Sequence, residues 1–349
     1  MRATKNDQTP TSSRVAVIGA GSWGTALAHH LGCLGHDVRL WVFEPELLET
    51  FRRQRENTLF LPGLKLSPNI SYWDDKNQAA AGAAVIVMAV PSHVFRPVLQ
   101  SLQPRNPSDM TVVSATKGIE TDTLLTMEGV VREVWGPEHA YAVLSGPSFA
   151  LEVAQAQPTA VTVASRQREV AKTIQRLFFS PSFRVYTTYD VTGVELGGAL
   201  KNVMALATGI LEGLGLGANP RAALITRGLA EIIRLGTRLG ANPMTLAGLA
   251  GLGDLVLTCT SPQSRNYRVG RRLGAGEKLE EILAGMQMVA EGIKTTAATH
   301  FLARKLGVEM PIVEQVYRIL YEQQPPQQAV RALMTRALKD EIDAMTESC

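Results

Sequence analysis

Apolar residues follow two regimes along the chain. Up to about residue 190 they come in short β-branched runs separated by stretches with helical spacing. The first run, RVAVIG (Arg14–Gly19), ends in glycines. TALAHHLGCLG (Thr25–Gly35) follows with its apolar positions three and four apart, and HDVRLWVF (His36–Phe43) returns to strand character. Strand, glycine turn, helix and strand make one βαβ unit. Further strands are predicted at AAVIVMAVP (Ala83–Pro91), MTVVSAT (Met110–Thr116), AYAVLSG (Ala140–Gly146), AVTVAS (Ala160–Ser165) and FRVYTT (Phe183–Thr188). Alternating strands and helices imply a mostly parallel sheet with helices on both faces.

From Val191 onward the period changes. Helical runs dominate, punctuated by GLGLGANP, LGANP, GLGDL and GAGEK. The pattern predicts a boundary near 190. A polar tail covers residues 1–13, an α/β domain residues 14–190 and an all-helical domain residues 191–342.

Composition narrows the function classes. A chain of 349 residues with 45% hydrophobic and 19% charged residues is long enough for two packed cores. A net charge of +3 is too small for a nucleic-acid footprint. The N-terminus has no apolar signal core, and the longest apolar run, AAAGAAVIVMAV (Ala79–Val90), falls short of the ~20 residues that span a bilayer. These features predict a cytoplasmic protein without stable membrane insertion. Cys33, Cys259 and Cys349 are odd in number and far apart, which fits neither a disulfide framework nor a zinc site. The histidines show no metal-ligand spacing; His29, His30 and His36 read as surface residues of one helix and its exit turn.

GAGSWG places Gly19, Gly21 and Gly24 in G-x-G-x-x-G spacing after a strand and at the start of a helix. The glycines permit a tight turn and close approach to a pyrophosphate, which the free N–H groups of the helix would receive. This context predicts a Rossmann-like dinucleotide-binding domain. Glu44 lies 25 residues after Gly19, where an acidic residue would bond the ribose 2′-OH of NAD, and Phe43 offers an aromatic wall. The other reading of Glu44 is a first-turn acid of the next helix, since Pro45 follows it. Ligands of such sheets bind beyond the carboxyl ends of the strands, which aims Lys117 of SATKGIE and Ser148 of LSGPSFALE at the crevice. Taken alone, without the neighbouring motifs, Lys117 reads as a solvated loop lysine.

Lys201 sits in ELGGALKNVMALATG, with Gly197, Gly198, Met204 and Ala205 one turn away on either side. Each glycine weakens a helix by about 1 kcal/mol relative to alanine, so the pair needs a reason. A ligand groove of small residues is one, and a closely packed backbone is another. A snorkelling lysine covering apolar surface is the bland alternative. Downstream, Asp254 lies in a glycine-rich turn. Ser261–Pro262 reads as a helix start, with Arg265, Arg268 and Arg272 on one face and Ser264 and Asn266 beside the first. Arginine at a helix N-terminus suits a phosphate; a solvated basic face is the alternative.

Taken in order, GAGSWGTALA, AVPSH, SATKGIE, SGPSFALE, LKNVMALATG, GLGDLVLTCTSPQSRN and MVAEG resemble the cytosolic glycerol-3-phosphate dehydrogenase family, especially its bacterial branch. The resemblance spans the chain beyond the tail. It implies reversible hydride transfer between NAD or NADP and the C2 carbon of dihydroxyacetone phosphate or sn-glycerol 3-phosphate, a glycerophospholipid precursor. It implies Lys201 as general acid/base and Lys117 in contact with both substrate and nicotinamide. Gly146, Ser148, Asp254, Ser264, Arg265 and Asn266 match substrate-binding positions, with Arg265 also near the cofactor. Ser22, Trp23, Ala150, Val289 and Glu291 match further cofactor contacts, and the family is typically a homodimer. Bacterial members commonly carry arginine at the end of the second strand. Here Phe43 and Glu44 stand there, which leans towards NAD. Two rivals are a two-domain dehydrogenase of a different hydroxy acid and a non-catalytic dinucleotide sensor. Neither needs both the Lys201–Asp254 pair and a phosphate site at Arg265.

Overall fold

A computed structural model of the chain describes residues 12–103, 110–286, 290–338 and 340–341. Most of the expected polar tail, residues 1–11, and residue 342 lie outside the described residues. Eight strands form one sheet: β1 (Arg14–Ile18), β2 (Asp37–Trp41), β3 (Ile70–Trp73), β4 (Val85–Met88), β5 (Thr111–Ser114), β6 (Tyr141–Ser145), β7 (Thr159–Ala164) and β8 (Phe183–Thr188). Between them lie α1 (Ser22–Cys33), α2 (Pro45–Gln54), α3 (Lys76–Ala80), α4 (Ser92–Gln100), α5 (Met127–Trp135), α6 (Ala150–Ala154) and α7 (Arg168–Phe178). The remainder is helical: α8 (Val191–Gly213), α9 (Ala218–Arg238), α10 (Pro243–Leu246), a π-helical turn (Leu249–Gly253), α11 (Asp254–Thr260), α12 (Arg265–Gly274), α13 (Leu279–Ala284), α14 (Glu291–Leu306), α15 (Pro311–Tyr321) and α16 (Pro326–Met334).

The strand order is β3-β2-β1-β4-β5-β6-β7-β8, and every neighbouring pair is parallel except β6–β7. The chain crosses from one edge at β3 back to β4 beside β1. That reversal opens a crevice at the carboxyl ends of β1 and β4, where such sheets take ligands. Successive side chains point to opposite faces. Val15, Val17, Val38 and Leu40 therefore enter one core layer, and Ala16, Ile18, Ile86 and Met88 the other. Both faces are covered, which is why β1 and β4 read as nearly continuous apolar runs.

β3 was not legible in the sequence. It is a four-residue edge strand, ISYW, whose exposed Ser71 breaks an already short apolar signal. The reading of His30 and His36 as surface residues is also corrected, because both are buried. The His30 ring bonds the Phe178 carbonyl at 2.7 Å, where α1 packs beneath α7, and burial pushes its pKa below the usual histidine value. Two apolar helical neighbours hid a polar side chain with a specific buried partner.

α8 is the axis of the helical part. Nearly all of its 23 residues are buried, and although it is long and apolar enough to cross a membrane, it lies wholly inside the protein. Its small residues do not leave a ligand groove. A Cβ on Gly197 would lie 2.6 Å from the Ala250 carbonyl oxygen, and one on Gly198 2.7 Å from the Ser145 hydroxyl. Further along, Gly209 and Gly213 face the backbone of α12, and Gly270 and Gly274 of α12 face the backbone of α8. Glycine is needed there because backbone meets backbone. Gly270→Ala is expected to destabilise the protein by about 3 kcal/mol, since its methyl would overlap the Leu206 carbonyl oxygen, which cannot rotate away. A urea midpoint unchanged from wild type would refute so close a crossing.

Candidate active site

The close packing of α8 builds the site. The turn LAGLG, Leu249–Gly253, lays the small residues Ala250 and Gly251 against Gly197. This brings Asp254, the first residue of α11, against Lys201 one turn further along α8. Lys201 Nζ donates to Asp254 Oδ1 and, at 2.8 Å, to the Thr258 hydroxyl. From the other side, Lys117 leaves the carboxyl end of β5 and its Nζ donates to Asp254 Oδ2 at 2.5 Å and to the Gly146 carbonyl at 3.4 Å. One carboxylate thus lies between two ammonium groups. Asp254 is 1% exposed and Lys201 8% exposed.

The electrostatics follow from this geometry. Burial disfavours the charged form of Lys201 and brings its pKa down to about 7; Asp254 opposes this shift and Lys117 reinforces it. Burial alone would raise Asp254, but the two ammonium groups overcome it and hold the carboxyl below its usual range. A lysine that can both release and take up a proton near neutrality suits general acid/base chemistry.

Gly146 closes β6 with φ +151°, and a Cβ there would lie 2.9 Å from Val161 Cα. The Ser148 hydroxyl donates back to the Gly146 carbonyl at 2.9 Å; α6 itself starts two residues later, with Phe149 at its N-cap. α12 also starts later than the sequence suggested. Ser264, not Ser261, is its N-cap and accepts from Tyr267 N at 3.2 Å, while Ser261 closes α11. Pro262 had marked the wrong serine. The three-arginine face divides as well: Arg268 is exposed and Arg272 pairs with Glu277, which leaves Arg265 at the crevice. Arg265 makes no hydrogen bond or ion pair among the described residues. Burial lowers its pKa, partly offset by the nearby Glu291. Asn266 faces inward, donating to Asn202 Oδ1 at 2.9 Å and accepting from Gly292 N at 3.0 Å. It ties α12 to α8 and α14.

At the glycine turn, Gly19 adopts φ +116°, and a Cβ there would lie 2.7 Å from the Ala89 carbonyl. Gly24 faces the Gly19 carbonyl, so neither position admits a side chain. Gly21 is the N-cap of α1 with no side-chain cap, and nothing lies within 4 Å of where its Cβ would be. The Trp23 indole N–H is buried without a partner. An uncapped helix start, open space before it and an orphaned donor fit the pyrophosphate of a dinucleotide. The Ser22 hydroxyl donates to the Phe60 carbonyl at 2.7 Å. Phe43 is 73% exposed, edge-on to Trp41. Glu44 is the N-cap of α2, yet its carboxylate caps nothing. Ala150 begins α6. Glu291 begins α14 and accepts hydrogen bonds from Ser92. Val289 lies outside the described residues.

Sequence reasoning missed Thr258, Asn202 and Ser92. Thr258 follows Asp254 by four residues, the helical spacing that could have found it. Asn202 adjoins Lys201, but its partner is 64 residues away. The partner of Ser92 is 199 residues away, beyond any local pattern.

Two family descriptions match the chain: NAD-dependent glycerol-3-phosphate dehydrogenase N-terminus over residues 14–171, and the C-terminus of the same family over residues 190–331. The chain is 57% identical to the glycerol-3-phosphate dehydrogenase (NAD(P)+) of Geobacter sulfurreducens, over 95% of this chain and 99% of that one. Among solved structures, glycerol-3-phosphate dehydrogenase from Coxiella burnetii superposes with a TM-score of 0.88 at 41% identity, covering 93% of this chain and 99% of that one. The yeast enzyme does so with a TM-score of 0.78 at 30% identity, covering 92% and 99%.

Proposed function

The chain belongs to the NAD-dependent glycerol-3-phosphate dehydrogenase family, and from that premise we propose that it reduces dihydroxyacetone phosphate to sn-glycerol 3-phosphate with Lys201 as the proton donor. The observation that carries this reading is the buried Lys201–Asp254–Lys117 cluster at the carboxyl end of the sheet. A nicotinamide dinucleotide held at the Gly19–Gly24 turn and the start of α1 would supply or accept the hydride at C2. Lys201 Nζ gives its proton to the C2 oxygen as charge develops there, and takes it back in the reverse direction. Asp254 and Thr258 orient the amine, and the Lys117 cation keeps its proton labile. Arg265 and the first turn of α12 receive the phosphate, so that binding energy remote from C2 orients the reacting carbon. Ser148, Ser264, Asn266 and the Gly146 turn line the substrate side. Gly19, Gly21, Ser22, Trp23, Gly24, Phe43, Ala150 and Glu291 line the cofactor side.

The assay is NADH oxidation with dihydroxyacetone phosphate. Turnover only with a non-phosphorylated hydroxy acid or ketoacid would overturn the reading. Glu44 carries a carboxylate without a capping role, and it would repel a 2′-phosphate. kcat/KM for NADH is therefore expected to exceed that for NADPH by about tenfold, a gap of about 1.4 kcal/mol. Equal values would remove Glu44 from cofactor selection. The same reading places a domain boundary at about residue 190 and takes the protein as a cytoplasmic homodimer, to be checked by fractionation and by sedimentation.

A further inference from the structure

Ser92 opens α4 at the rim of the crevice, where Pro91 at the N-cap offers no side-chain acceptor. The Ser92 backbone N–H and hydroxyl both donate to the Glu291 carboxylate, at 3.3 and 2.7 Å. Glu291 belongs to the first turn of α14, so these two bonds join the sheet-bearing part to the helical part. The same carboxylate lies within the field of Arg265, and burial raises its pKa against the pull of Ser92, Arg265 and Lys294. A guanidinium near a carboxylate ordinarily closes on it as a bidentate pair. Arg265 has not done so, and it has no other hydrogen-bonding partner among the described residues. The carboxylate is held by Ser92 instead. Gly118 secures this arrangement: with φ +154° it carries the chain past Ser92, and a Cβ there would lie 2.6 Å from the Ser92 hydroxyl and 3.5 Å from Glu291 Oε2.

The geometry points to Ser92 as a positioning residue for the substrate phosphate: by holding Glu291 across the seam, it keeps the Arg265 guanidinium free to receive a phosphate. This rests on the assignment of Arg265 under Proposed function. When the Ser92 hydroxyl is lost, Glu291 turns to Arg265 and competes with the incoming anion.

The test uses the full chain without cofactor and inorganic phosphate as the probe, with binding read by calorimetry. Ser92→Ala is expected to weaken phosphate binding about tenfold, the loss of one charge-assisted hydrogen bond. It should raise KM for dihydroxyacetone phosphate by a similar factor while kcat changes less. Adding Glu291→Gln to Ser92→Ala should restore phosphate binding, because a neutral amide forms no ion pair with Arg265. Wild-type phosphate binding in Ser92→Ala would overturn the inference. So would a double variant as weak as Ser92→Ala, since a merely structural serine is not rescued by neutralising its partner. Arg265→Leu serves as the control. If it binds phosphate as well as wild type does, the phosphate assignment of Arg265 fails, and the role of Ser92 fails with it.

Discussion

Replacing Lys201 with alanine is expected to lower kcat for dihydroxyacetone phosphate reduction by about 10³-fold, the range for loss of a positioned general acid, with NADH affinity unchanged. The glycine turn that fits the dinucleotide lies on another element, and no contact of Lys201 reaches it. In wild type the two directions should show opposite pH dependence. Reduction needs the protonated amine and declines as pH rises through the Lys201 pKa near 7, whereas glycerol 3-phosphate oxidation needs the neutral amine and climbs over the same window. Lys201→Ala should abolish both responses. A near-normal kcat, or an unaltered pH profile in the variant, would remove Lys201 from the proton transfer.

Asp254→Asn is expected to damage both stability and turnover. The carboxylate is the common partner of two ammonium groups, and an amide in its place leaves those charges facing each other in a buried site. Breaking a buried pair by removing one partner destabilises by about 3–5 kcal/mol. Deprotonation of Lys201, already favoured by burial, would relieve part of this. The lysine would then be neutral at assay pH and unable to donate, so kcat for reduction should fall by about 10²-fold or more. The sign of the acid-side linkage follows from the depressed folded pKa of Asp254. Its stabilisation is full above the unfolded value of 3.8 and is lost only as pH falls through the folded value below it. The urea-midpoint gap between wild type and variant should therefore persist down to about pH 5. A variant with wild-type stability would show that Asp254 does not balance the two lysines.

The glycine turn, the strand runs and the helical stripe around Lys201 were legible because each is a local period of two or of 3.6 residues. The motif residues at Gly19, Gly21 and Gly24 fell on a strand-to-helix turn for the same reason. Where local signals competed, sequence reasoning chose wrongly. Pro262 drew the start of α12 to Ser261, although the hydroxyl that caps the helix is that of Ser264. Spacings of three and four put Arg265, Arg268 and Arg272 on one helical face, but α12 turns Arg268 to solvent and carries Arg272 away to Glu277. The small residues of α8 allowed a ligand groove or a closely packed backbone, and the second holds: other chain segments lie directly against them.

By itself the sequence determined that a dinucleotide turn opens an α/β half and that an all-helical half carries a lysine among glycines. These are properties of single elements, set by steric and hydrophobic periodicity within about twenty residues. Only the tertiary structure decided which charges meet. Asp254 joins Lys201 across 53 positions and Lys117 across 137, and Ser92 joins Glu291 across 199. Those distances are closed by the crossover order of the sheet and by glycine contacts too intimate to leave any periodic trace. The lysine in GGALKNVMAL therefore reads as ambiguous from its own helix, and becomes the proposed proton donor once another part of the chain has brought it a carboxylate.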